Sequence, residues 1–267
     1  MYKKFKIDLN ELTYIEENVS TSWEYLVSIG CSQFNNIKES VESDLTEFTN
    51  PDGSLQADDI VNYWFPSINA DIFISHSHKD EEYVLGLAGW LKTHFGLNSF
   101  IDSAVWGYSD ELLKKIDNKY CKSLNGNTYD YQKRNRSTSH VHMMLSTALM
   151  NMIDKCEVFM FVETQNSFTP SEYFSSDGET ESPWIYSELS LVAKLQENIP
   201  ERFKRNIPTC DSIEFSESLE NLRIKYPANM SGLTTLTSDI LVKWKNSSTR
   251  VLDKVRNLDN LYRLVRE

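Results

Sequence analysis

The spacing of apolar residues changes near residue 70, and that change organises the chain. Before it, Trp23, Leu26, Ile29 and Phe34, then Ile37, Val41, Leu45 and Phe48, recur at helical intervals, so residues 1–49 are expected to be mostly helix. Asn50-Pro51-Asp52-Gly53 reads as a turn, and a short helix over Ala57–Tyr63 is stopped by Pro66. From Ala70 the pattern becomes a strand, Ala70–Ser75, followed by the polar cluster His76-Ser77-His78-Lys79-Asp80-Glu81. A helix follows with Val84, Leu87, Ala88 and Leu91 on one face. Ser99-Phe100-Ile101 gives a second strand ending at Asp102, and a loop carrying Trp106 and Gly107 leads into a helix over Asp110–Tyr120. Its inward residues are Leu112, Leu113, Ile116 and Tyr120.

Residues 121–139 are rich in Asn, Tyr, Arg and Ser and read as a polar insertion or long loop. The helical stripe resumes at Val141, Met144, Leu145, Ala148 and Met152. Glu157–Val162 is then continuously apolar, as in a strand buried on both faces of a parallel sheet. After a polar loop over 164–181, Ser182 and Pro183 suit the N-cap and first position of another helix. Past Gln196 the pattern weakens: 221–225 and 238–245 each read as one strand or helix, and 251–266 as a closing amphipathic helix. Strand alternating with helix three times predicts an α/β, flavodoxin-like parallel sheet with helices on both faces. Helical extensions are expected at both ends, so the chain divides into an N-terminal piece 1–66, a core 68–200 and a C-terminal extension 201–267. In such sheets ligands bind at the carboxyl ends of the strands, where the polar groups after Ser75, Asp102 and Val162 all fall.

Composition narrows the partners. The 267 residues carry 27 Lys and Arg against 39 Asp and Glu, a formal net charge of −12, which disfavours broad binding to nucleic acid or anionic membrane. No apolar stretch is long enough to span a bilayer and the start, MYKKFKIDLNEL, has no signal-type segment, so a soluble cytoplasmic protein is expected. Cys31, Cys121, Cys156 and Cys210 lack paired spacing and give little support to disulfides or structural zinc.

The candidate chemistry centres on Glu188. On the helix after Pro183, Ile185, Leu189 and Val192 form one apolar row and Trp184, Leu191 and Leu195 another; Glu188, at i+3 from Ile185, belongs to the inward face. A buried unpaired carboxylate is costly, so Glu188 has either a satisfied structural partner or a cavity in which a ligand uses it. Trp184 reads as pocket wall or core, Trp106 as a stacking surface or an interface residue, and Asp102 as a ribose contact or a turn cap. Ser75, His76 and Ser77 sit where a substrate-lining loop belongs, though such loops are commonly only solvated. Lys133, Arg134 and Arg136 form a local basic cluster, read as pyrophosphate contacts or exposed loop charge, and Asp80-Glu81-Glu82 as a helix N-terminal charge complement. HExxH and glycine-rich phosphate loops are absent, and no metal is called for: His140 and His142, two apart on a helix, diverge.

Taken in order, Asp71–Asp80, Phe100-Ile101-Asp102, Ala104–Tyr108, Ala148–Val162 and Ser182–Leu189 resemble the first strand and loop, second strand, BB loop, fourth-strand region and W-x-x-x-E segment of Toll/interleukin-1 receptor (TIR) domains. The resemblance covers about residues 68–196 and is nearest to bacterial TIR proteins of anti-phage defence. It implies a TIR fold and cleavage of the nicotinamide–ribose bond of NAD⁺, a substrate rather than a cofactor, with cyclisation in some relatives. Glu188 would be catalytic, with Ser75, His76, Ser77, Asp102, Trp106 and Trp184 binding substrate. It further implies a homo-oligomer, with active sites sometimes completed by a neighbour, and an output through NAD⁺ depletion or a nucleotide signal to a partner effector. The rival reading is a non-catalytic module working by TIR–TIR contacts; a glycosidase acting on other nucleosides or nucleotides is a third.

Overall fold

The computed structural model describes residues 1–38, 45–123, 128–170, 178–203, 225–248 and 250–266, without the side chains of 34–38 and 104–108. The first part comprises β1 (Lys3–Asp8), α1 (Leu9–Asn18), α2 (Trp23–Lys38) and α3 (Ala57–Trp64). The core follows as β2 (Ile72–Ser75), α4 (Glu81–Phe95), β3 (Ser99–Ile101), α5 (Ser103–Tyr120), α6 (Tyr131–Lys155), β4 (Val158–Glu163), β5 (Gly178–Thr180) and α7 (Pro183–Lys194). The chain closes with β6 (Tyr226–Ala228), β7 (Thr234–Thr235), α8 (Ser238–Ser247) and α9 (Lys254–Leu264).

Five strands form one parallel sheet in the order β3-β2-β4-β1-β7, flanked by helices, an α/β architecture consistent with a flavodoxin-like fold. Period two sorts its side chains into two cores. Phe73, Phe100, Phe159 and Phe161 face α3, α5, α6 and α7, with Phe73 stacked between Phe100 and Phe159. On the other face Ile72, Ile74, Val158, Met160 and Val162 meet α1, α2, α4, α8 and α9.

Several elements differ from the sequence expectation. Lys3–Asp8 is a strand inside the sheet, paired in register with β4 from Lys3↔Val158 to Asp8↔Glu163, so the N-terminal piece is not helical throughout. Phe5 and Ile7 enter the core while Lys4 and Lys6 point to the opposite face, an alternation too short to show in a helix-length window. Residues 104–108 belong to α5 rather than a loop, and residues 131–139 open α6, which Asp130 caps through Lys133 N, so the second half of the polar insertion is helix. The expected loop over 164–181 contains β5, paired antiparallel with β6. The 238–245 segment is helical, whereas 221–224 and Cys210 lie outside the described residues.

The first helices are held to the core by backbone-to-backbone contact. A Cβ on Gly89 of α4 would fall 1.8 Å from the Leu26 carbonyl oxygen, and one on Gly30 of α2 would fall 2.1 Å from that of Leu85. Only glycine allows this approach. Gly89→Ala is therefore expected to destabilise the protein by about 2 kcal/mol or more despite alanine's better helix propensity. The midpoint of urea unfolding checks it; an unchanged or raised midpoint would mean that α2 does not seat on α4 as described.

Candidate active site at the carboxyl edge of the sheet

Ser75 is the last residue of β2 and lies on the same face as Phe73, level with Phe161 of β4. That face is covered by α7, whose inward row is Ile185, Glu188, Leu189 and Val192. The carboxyl of Glu188 thus occupies a position that helical periodicity reserves for an apolar side chain, and the residue is 3% exposed. Ser75 Oγ donates to Glu188 Oε2 at 2.5 Å, while Oε1 is buried with no hydrogen-bond partner among the described residues.

Asp102 follows β3 and accepts from Ser103 N at 2.9 Å, capping α5. Its Oδ1 also lies 2.9 Å from His76 Nδ1, and both side chains are buried. Burial pushes the Glu188 carboxyl well above the ordinary carboxylate range, the nearby Asp102 charge pushes it further, and the Ser75 hydrogen bond opposes both. For His76, burial alone would lower the pKa; the Asp102 carboxylate outweighs it and holds the imidazole above its ordinary value. These directions favour a neutral Glu188 beside a His76–Asp102 ion pair.

A cleft of about 320 Å³ opens over this edge, lined by His76, Ser77, His78, Lys79, Asp102, Ser182 and Trp184. Glu188 is not on its surface; it borders a narrow crevice behind, walled by Ser187, Leu191 and Trp184 among others. Trp184, half-buried and edge-on to His142 at 5.9 Å between ring centroids, is the wall common to both. The sequence candidates Ser75, His76, Ser77, Asp102, Trp184 and Glu188 are therefore gathered at one edge, whereas the side chain of Trp106 lies outside the described residues. The basic cluster is elsewhere. At about 1.5 Å per residue along α6, Lys133 stands about 20 Å and Arg136 about 15 Å from Ser146, the nearest α6 residue lining the Glu188 crevice. Arg134 is paired with Asp117 at 2.8 Å.

Asp80 carries more than the helix-end role expected for it. It is buried, makes no side-chain cap, and accepts from Thr164 Oγ1 at 2.6 Å and Asn166 Nδ2 at 2.7 Å. This ties the loop after β2 to the loop after β4 where these neighbouring strands diverge in chain order, the kind of crevice in which open α/β sheets bind ligands. The polar run Thr164-Gln165-Asn166-Ser167 after an apolar strand was the available signal, but nothing in it named Asp80 as partner. No protein-family model, curated protein or solved structure matches this chain.

Because the native pKa of Glu188 exceeds the unfolded one, the folded state holds that proton more tightly. Stability contributed by the protonated form is present at low pH and lost as pH rises from the ordinary carboxylate range through the raised native value. Glu188→Gln, neutral at every pH and able to accept from Ser75, is expected to match the parent's Tm near pH 4 and exceed it by about 3 °C or more at pH 8. A pH-independent difference in thermal melting would contradict the buried, proton-holding carboxyl.

Proposed function

We propose that the chain is an NAD⁺-cleaving enzyme of the TIR type, with Glu188 as its catalytic residue. The observation that carries this reading is a carboxyl placed on an apolar helix row, one oxygen held by Ser75 and the other buried without a partner. It sits at the carboxyl edge of the sheet, behind a cleft of about 320 Å³. Leaving such an atom unpaired costs about 1–3 kcal/mol, which a purely structural site would avoid by placing an apolar residue there.

The chemistry suits one carboxylate. When the C1′–N bond of NAD⁺ breaks, its electron pair leaves with nicotinamide, which departs neutral, and positive charge develops on the ribose ring. An ionised Glu188 in a dry site stabilises that charge and holds ribose hydroxyls through charge-assisted hydrogen bonds. Water then adds at C1′ and loses a proton, giving ADP-ribose, or a group of the same nucleotide closes the ring. The cationic nicotinamide ring itself favours the ionised carboxyl on binding. Trp184 offers a flat wall for that ring, and Lys79 puts positive charge along the cleft for the pyrophosphate. Productive binding displaces Trp184 so that cleft and crevice join. In this reading the protein works in the cytoplasm as a self-assembled defence enzyme, its output NAD⁺ loss or a nucleotide signal. The burial of Glu188 away from the cleft surface favours, as second reading, a non-catalytic TIR–TIR module.

Chromatography of NAD⁺ incubated with assembled protein is expected to show nicotinamide with ADP-ribose or a cyclised product, and Glu188→Gln to lose at least about 100-fold of that activity while melting no lower than the parent. Intact NAD⁺ in the assembled state, together with an unchanged Glu188→Gln phenotype in cells, would sink the enzymatic reading and leave the contact module. The rate should also rise with pH as Glu188 ionises. Asp102→Asn removes a neighbouring negative charge, so that limb is expected to move to lower pH in a pH–rate profile.

A further inference from the structure

A second cleft, of about 420 Å³, lies between the turn at Gly53, the end of α5 and the first half of α6. It shares no lining residue with the cleft at Asp102. Its walls are apolar: Leu55 and Ile60 on one side, Ile116 and Met144 on the other. Lys133, Arg136 and His140 also line it, at spacings of three and four that place them on one face of α6 with Met144. All three are exposed, and Lys133 and Arg136 form a cationic rim over an apolar floor.

Neighbouring cations are occupied. Arg134 binds Asp117, Lys115 lies 4.9 Å over the Trp64 ring, and Lys119 lies 5.5 Å over that of Tyr120. The side chains of Lys133 and Arg136 have no ion-pair or hydrogen-bond partner among the described residues. The buried carboxylate beside this wall, Asp117, is already satisfied by Arg134 at 2.8 Å and by Ser137 Oγ at 2.5 Å. In a chain of net charge −12, two unpaired cations above an apolar cavity are a local exception to the overall repulsion of anions.

We propose that this cleft binds a medium-chain carboxylate, its hydrocarbon seated between Leu55, Ile60, Ile116 and Met144 and its head group on Lys133 and Arg136. The volume equals roughly fourteen portions of about 30 Å³, the share of a water molecule, which matches the heavy atoms of a fatty acid of about ten to twelve carbons. It also lies within the usual range for small-molecule sites. Arg136 can hold a carboxylate through two parallel hydrogen bonds, which fixes the head while the apolar walls supply area. The site stands independently of whether Glu188 cleaves NAD⁺.

The test is isothermal titration calorimetry of the full chain with decanoate, with 1-decanol as the uncharged probe. Saturable one-site binding of decanoate is expected, at least about tenfold tighter than decanol. The double variant Lys133→Glu with Arg136→Glu should weaken decanoate by at least about tenfold without lowering Tm. Ala57→Trp, which fills the cleft from α3, should abolish it in protein that still melts cooperatively. The proposal is overturned if decanoate shows no saturable binding, if decanol binds equally well and charge reversal changes nothing, or if binding survives Ala57→Trp.

Discussion

The arrangement of the carboxyl edge follows from one costly placement: a carboxyl on the buried row of α7. Its neighbours on that row, Ile185, Leu189 and Val192, drive the helix onto the phenylalanine face of the sheet, and they carry Glu188 with them. Desolvation then sets its chemistry, holding the proton on the acid, while Asp102 across the edge strengthens the effect and Ser75 offsets part of it. The apolar packing of α7 supplies the free energy that keeps an unfavourable group in place.

The rest of the fold steadies that placement. Lys4, on the face of β1 opposite Phe5, donates to the carbonyls of Val192 and Leu195 at the end of α7. The N-terminal strand therefore anchors the helix that bears Glu188, as well as completing the sheet beside β4. Asp80, bonded to Thr164 and Asn166, joins the loops after β2 and β4, and Asp102 joins the start of α5 to His76. The edge is thus tied from three directions. The half-buried Trp184 between cleft and crevice is the side chain whose movement would connect them.

The two clefts contrast in their physics. At the sheet edge, buried polar groups lie close together and alter one another's protonation. Between α5 and α6 the cations are solvated and unpaired, and the walls are apolar. The first environment is suited to changing charge during a reaction, the second to recognising a molecule with separate apolar and anionic ends.

Much of the core was legible because its signals are local. The apolar runs of β2 and β4, the i, i+3, i+4 rows of α4 and α7, and the Ser182-Pro183 start of α7 depend only on periodicity and backbone chemistry. The inward direction of Glu188 was readable for the same reason. The sequence by itself therefore determined the parallel α/β core and the face on which the key carboxyl lies. Only the tertiary structure decided what that carboxyl meets: Ser75, 113 residues away, and the charge of Asp102. It also decided that Lys3–Asp8 enters the sheet next to β4 and that Asp80 ties two loops together. Strand partners and buried polar pairs are chosen by long-range packing, where desolvation makes each group depend on neighbours that no local pattern names.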